Sequence, residues 1–190
     1  MPKPNKTESK NDFVRSRFSY KSIIEVKESI NDIVVSGYIA TTHYDGQDKI
    51  TIDTLQKWSD EINEGNPRSN KVSVNHKRVP HVAGVGIRGS AKVDKFPDGE
   101  WGLYVDTRID KTRDDFEDIK YRIDNDFLDS FSIEYIAPEE PMFDSQGVRI
   151  LDSNTELHGW TLASQPMNEH AVIIKEILAM NNIKEGNNMP

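Results

Sequence analysis

The sequence predicts a single α+β domain, on three observations. Its 190 residues include 35% hydrophobic and 29% charged positions, enough apolar material for one ordinary core and not for two. Several short segments alternate apolar and polar residues with the two-residue period of a half-buried strand. Between them, two or three stretches repeat apolar residues three and four positions apart, as an amphipathic helix does. The domain is expected over residues 13–181. Residues 1–12 are polar and aperiodic, and residues 182–190 end in Gly186, Asn187, Asn188 and Pro190, so both are expected to be disordered tails.

The first strand is expected from Asp32 to Thr41, where Ile33, Val34, Val35, Tyr38 and Ile39 favour extended backbone and Gly37 marks a bulge or close approach. Ile52, Leu55, Trp58 and Ile62 follow at helical spacing, with Asp53 as candidate cap and Gly65 and Pro67 as the stop, a helix of about three turns. Val72 and Val74 alternate with Ser73 and Asn75, which sets His76 on the valine face, pointing inward, at the end of a short strand. Val85, Ile87, Ala91 and Val93 suggest one longer strand; Pro97-Asp98-Gly99 is a turn, and Trp101, Leu103 and Val105 return as a hairpin. Thr112 with Asp115 three positions on is a variant capping box for a second helix, whose apolar stripe is Phe116, Ile119 and Ile123. Phe131, Ile133 and Tyr135 then alternate with Ser130, Ser132 and Glu134, so Ser132 points away from the apolar face. Val148 to Leu151 and Leu157 to Ser164 read as two more strands, and Ala171, Ile174, Ile177 and Leu178 as a C-terminal helix.

Several function classes are disfavoured. With no cysteine the chain has no thiolate nucleophile, disulfide or thiolate metal site, and it suits a reducing cytoplasm. No apolar run approaches the ~20 residues that span a bilayer, and the N-terminus lacks the apolar stretch of a signal peptide. A net charge of -8 opposes binding to nucleic acid, and the cluster Arg68, Lys71, Lys77 and Arg78 is read as a solvated loop. Gly84-Val85-Gly86-Ile87-Arg88-Gly89 matches a dinucleotide fingerprint in letters, but a strand pattern follows it where a helix is needed to face the pyrophosphate. His76 and His81 could form half of a metal site but lack further ligands at a characteristic spacing. No cofactor is expected.

A serine hydroxyl needs a histidine to take its proton, and the histidine needs a third group to fix its tautomer. Four blocks bear on which residues these are. They are Val35-Ser36-Gly37-Tyr38-Ile39-Ala40; Lys71-Val72-Ser73-Val74-Asn75-His76 followed by Gly84-Val85; Gly102-Leu103-Tyr104-Val105; and Leu128-Asp129-Ser130-Phe131-Ser132-Ile133-Glu134-Tyr135. In this order they resemble the prohead protease family of tailed viruses, itself considered related to herpesvirus assemblins, over roughly residues 33–171. The resemblance implies a strongly curved, mainly antiparallel sheet or barrel with two or three helices. It assigns the nucleophile to Ser132 and the general base to His76. Ser130 precedes the aromatic and does not hold the motif position, and His81 follows Pro80 and does not close the apolar strand.

The third member is less direct. The family's acidic position falls on Gly159 when Leu157-His158-Gly159-Trp160-Thr161-Leu162-Ala163 and Pro166-Met167-Asn168 are aligned without gaps. His158, adjacent, would resemble the assemblin arrangement and is expected in that role ahead of Glu156; Glu134 stands where the family usually has glycine. The reaction implied is peptide-bond hydrolysis without metal or nucleotide, inside the assembling procapsid in the host cytoplasm. Implied partners are the major capsid protein and scaffold protein, with self-association and self-cleavage at the termini as further expectations. A non-catalytic scaffold or assembly protein that keeps the fold is the rival, supported by Gly159.

Overall fold

The computed structural model describes residues 25–28, 33–76 and 82–164, with side chains from residue 33 onward. The elements in chain order are β1 (Glu25–Glu28), β2 (Ile33–Thr41), β3 (Asp48–Ile50), α1 (Ile52–Glu64), β4 (Val72–Val74), β5 (Gly84–Gly86) and β6 (Lys92–Lys95). They continue with β7 (Trp101–Ile109), α2 (Phe116–Asp124), β8 (Ser130–Ile136), β9 (Met142–Phe143), β10 (Arg149–Leu151) and β11 (Glu156–Ala163). The main sheet runs β1-β2-β7-β5-β4-β11-β8, with β6 on β7. Every pairing in it is antiparallel except β4 with β11. It curls into a half-barrel, giving the single α+β domain the sequence predicts. A small second sheet has the order β3-β10-β9. The expected tails and the C-terminal helix lie outside the described residues, among which no helix is long and apolar enough to cross a membrane.

Helix α1 buries Leu55, Trp58 and Ile62, each worth about 1.5–3 kcal/mol on removal from water. Its cap is Thr51 and not Asp53: the Thr51 hydroxyl accepts from the Thr54 N–H at 3.2 Å, and Asp53 sits in the first turn where a carboxylate favours the helix dipole. Gly65 ends the helix in the left-handed conformation, φ 74°. Helix α2 starts at Phe116, and Thr112 takes no part in its cap because its amide and hydroxyl both bond to Asp110. In β2 the register shift falls between Tyr38 and Ala40, past Gly37, which pairs normally with Val105.

The long strand expected around Val85 to Val93 is two strands, β5 and β6, that follow one another along the same edge of β7. Between them the chain turns through Gly89 at φ 79°, and the Ser90 hydroxyl donates to the Ile87 carbonyl at 2.6 Å and accepts from the Asp106 amide at 3.1 Å. Two asparagines replace ladder bonds lost at the break. Asn70 bonds both the N–H and C=O of Gly86, at 2.6 and 3.1 Å, and Asn63 does the same for Ala91, at 2.9 and 2.9 Å. A Cβ on Gly84 would lie 2.2 Å from the Arg108 carbonyl oxygen, so this glycine serves strand packing and not a phosphate loop.

A buried ion pair inside the small sheet is tied to the main sheet through Tyr135 of β8. Asp48, 1% exposed, receives both Arg149 Nε and Nη2 at 2.6 Å and the Tyr135 hydroxyl at 2.8 Å. A carboxylate this deep is tolerable only when its oxygens are filled in this way.

Candidate active site

Alternation on three neighbouring strands separates two faces. Val72, Trp160 and Ile133 are register partners, and so are Val74, Leu162 and Phe131; their side chains enter the core. On the other face the register aligns Ser73, Thr161 and Ser132, a row of hydroxyls crossing β4, β11 and β8. All three residues are buried, at 2%, 0% and 1% exposure. Glu134 lies two residues from Ser132 on the same face and opposite Gly159.

His76 joins this face by leaving its strand. Asn75 still donates to the Leu162 carbonyl at 3.0 Å, but Asn75 and His76 both adopt left-handed backbone, φ 49° and 60°. The turn breaks the alternation that would have kept His76 with the valines, so the inward orientation expected from the sequence is corrected. The His76 amide donates to Thr161 Oγ1 at 3.0 Å, and its ring reaches over β11, with Nδ1 3.4 Å from Glu134 Oε1. The same carboxylate oxygen accepts from Ser73 Oγ at 3.2 Å. The strand leading to His76 and the strand of Ser132 are therefore not adjacent: β11 lies between them.

Ser132 Oγ is buried without a hydrogen-bond partner and makes no bond to His76. A buried unmade hydroxyl bond costs about 1–3 kcal/mol, the kind of deficit retained where a group has chemistry to perform. Ser130 differs, because its hydroxyl donates to the Ala163 carbonyl at 3.0 Å. His158 occupies the bulge between Leu157 and Gly159; its Nε2 is 3.5 Å from Glu156 Oε2, and it does not contact His76. His81, Lys77 and Arg78 lie outside the described residues, and among those described no group of three or more His, Asp or Glu side chains could hold a metal.

Sequence reading did not anticipate a second hydroxyl–imidazole–carboxylate set. Thr41 Oγ1 lies 2.9 Å from His43 Nδ1, and His43 Nε2 lies 2.8 Å from Asp98. Thr41 Oγ1 also accepts the His43 amide at 3.3 Å, a local turn bond, and Asp98 caps the β6–β7 turn through the Glu100 amide at 3.1 Å. This set is a clamp between two turns. The His43 hydrogen bond holds the Asp98 carboxyl below its usual range. A cavity of about 580 Å³ over β5, lined in part by Lys71, Val85, Arg88 and Arg108, has no hydroxyl, imidazole or carboxylate among its described lining residues.

A curled α+β half-barrel with these strands is the fold of a viral capsid assembly protease. One solved structure with a similar fold is the bacteriophage T4 capsid assembly protease, gp21: TM-score 0.59 at 12% identity, over 80% of this chain and 97% of that one. No family model matches the chain, and no curated protein matches it in sequence.

Proposed function

We propose that this chain is a serine endopeptidase of viral capsid maturation, with Ser132 as nucleophile and His76 as general base. The observation that carries the reading is the unpartnered Ser132 hydroxyl on the face that His76 has left its strand to join, within a capsid assembly protease fold. Ser132 Oγ attacks the scissile carbonyl while His76 takes its proton; collapse of the tetrahedral intermediate breaks the C–N bond as His76 returns that proton to the leaving amine. Water then attacks the acyl-enzyme with His76 again as base, releasing the acid and restoring the serine. The substrates are the major capsid protein and scaffold protein co-assembled with it in the procapsid, and the chain's own termini. Confinement raises the effective concentration of weak sites, so modest affinity suffices.

The test is co-expression with the neighbouring capsid and scaffold proteins, following their masses. Ser132→Ala is expected to reduce cleavage by about 10⁶-fold, to the background left by binding alone. Identical product masses with both forms would reject the proposal. A second reading, an assembly protein without activity, is favoured by the 1% exposure of Ser132 and the missing bond to His76. Labelling of Ser132 by a serine-reactive phosphonate separates the two.

A further inference from the structure

We infer that Glu134, and not His158, is the positioning residue that orients His76; this rests on the serine-protease reading above. A general base works through one ring nitrogen only if the other is held as N–H by an acceptor. In this chain the group facing the second nitrogen is a carboxylate: Nδ1 of His76 lies 3.4 Å from Glu134 Oε1, with the two side chains 17% and 16% exposed. His158 instead lies 3.5 Å from Glu156 Oε2 through Nε2, a buried atom without a hydrogen-bond partner, and no hydrogen bond or ion pair joins it to His76.

Three features fix Glu134 for this role. Ser73 Oγ donates to the same oxygen at 3.2 Å, so the carboxylate is held from the β4 side as well as by its own strand. The His76 backbone is held independently, because its amide donates to Thr161 Oγ1 at 3.0 Å. Gly159, the register partner of Glu134, presents no side chain on this face. With Nδ1–H directed at Glu134, Nε2 carries the lone pair that receives the Ser132 proton, and the negative carboxylate stabilises the imidazolium that results. A third-group histidine would do this with a neutral ring and less strongly.

The test uses the full chain with Glu134→Gln, His158→Ala and Ser132→Ala. Glu134→Gln is expected to lower kcat by about 10²–10⁴-fold with little change in KM. His158→Ala is expected to stay within about threefold of the parent. Nitrogen-15 spectra of the His76 ring are expected to show the Nδ1–H tautomer in the parent chain, lost in Glu134→Gln. A parent spectrum showing the Nε2–H tautomer would overturn the inference whether or not the variant folds. A Glu134→Gln enzyme with parental kcat, or a loss confined to His158→Ala, would do the same. Failure of the protease reading has a different signature: cleavage and phosphonate labelling indifferent to Ser132→Ala, with the His76 spectrum still reporting on its carboxylate.

Discussion

Asn75 and His76 occupy backbone that non-glycine residues adopt rarely, and asparagine tolerates it better than most because its short amide bonds locally. The pair converts a strand residue into one whose ring crosses the neighbouring strand. Asn75→Val, β-branched and ill suited to φ 49°, is expected to cost about 1–2 kcal/mol and to lower cleavage further by displacing His76. Thermal unfolding and kcat measured together would show both effects. Tyr38 offers a separate check. Burial first, and then the charge and hydrogen bond of Asp94, push its phenol up to about 12. The folded state thus favours the neutral phenol, and the stability this contributes is present below pH 10 and lost as pH rises through about 12. A spectroscopic titration of Tyr38 in Asp94→Asn is expected to show ionisation at lower pH. At this scale the sequence identified Ser132 and His76 as candidates, but it could not show that two consecutive left-handed residues would turn the imidazole onto the Ser132 face. Glu134, the third group proposed above, was hard to read from the sequence for a related reason. Sequence alignment searches along one strand and found Gly159, whereas the carboxylate stands across the ladder on Glu134, and Gly159 itself, at φ 122°, has a backbone unsuited to an acidic side chain.

Strands and helices were legible where periodicity decides them, as in β2, β7, β8, β11 and α1. They were misread where a side chain replaces the backbone as partner. Ser90, Asn63 and Asn70 take over ladder bonds between β5 and β6, so an apolar alternation that looks continuous is cut in two. The short strands β1, β3 and β9 were not anticipated; β3 and β9 owe their place to β10, a partner distant from β3 in sequence. Gly84→Ala tests the closeness of this packing. Its methyl would meet the Arg108 carbonyl, a backbone atom that cannot turn aside, and a loss of about 1–3 kcal/mol is expected, read from denaturant unfolding. The turn clamp gives a pH prediction of opposite sign to Tyr38. Because the Asp98 carboxyl is held below its ordinary 3.8, its contribution is present above that pH and is lost as pH falls through the lower folded value. In His43→Ala the Asp98 carboxyl is expected to titrate closer to 3.8, measurable by carbon-13 chemical shift.

The whole molecule depends on one buried junction. Removing Asp48 leaves the Arg149 charge without its two carboxylate bonds and Tyr135 without its acceptor, a change of about 3–5 kcal/mol in comparable buried pairs. Asp48→Ala is therefore expected to lower Tm by roughly 6–20 °C. The class of fold was legible because one core's worth of apolar residues, arranged in both periods, permits few alternatives; the order of strands was not, because β4 and β11 pair in parallel across a long stretch of chain.

That last pairing determines when the site can exist. In the sheet, β11 lies between the strand leading to His76 and the strand bearing Ser132, and the threonine that receives the His76 amide lies 85 positions further along the chain. A ribosome adding about 5–20 residues per second needs roughly 4–17 seconds to cover that distance. Throughout this interval the emerging polypeptide has its histidine, and later its serine, but no strand to seat them together. On the proposed serine-protease reading, a nascent or broken chain that stops before Glu156 lacks the strand that seats His76 and is expected to be latent.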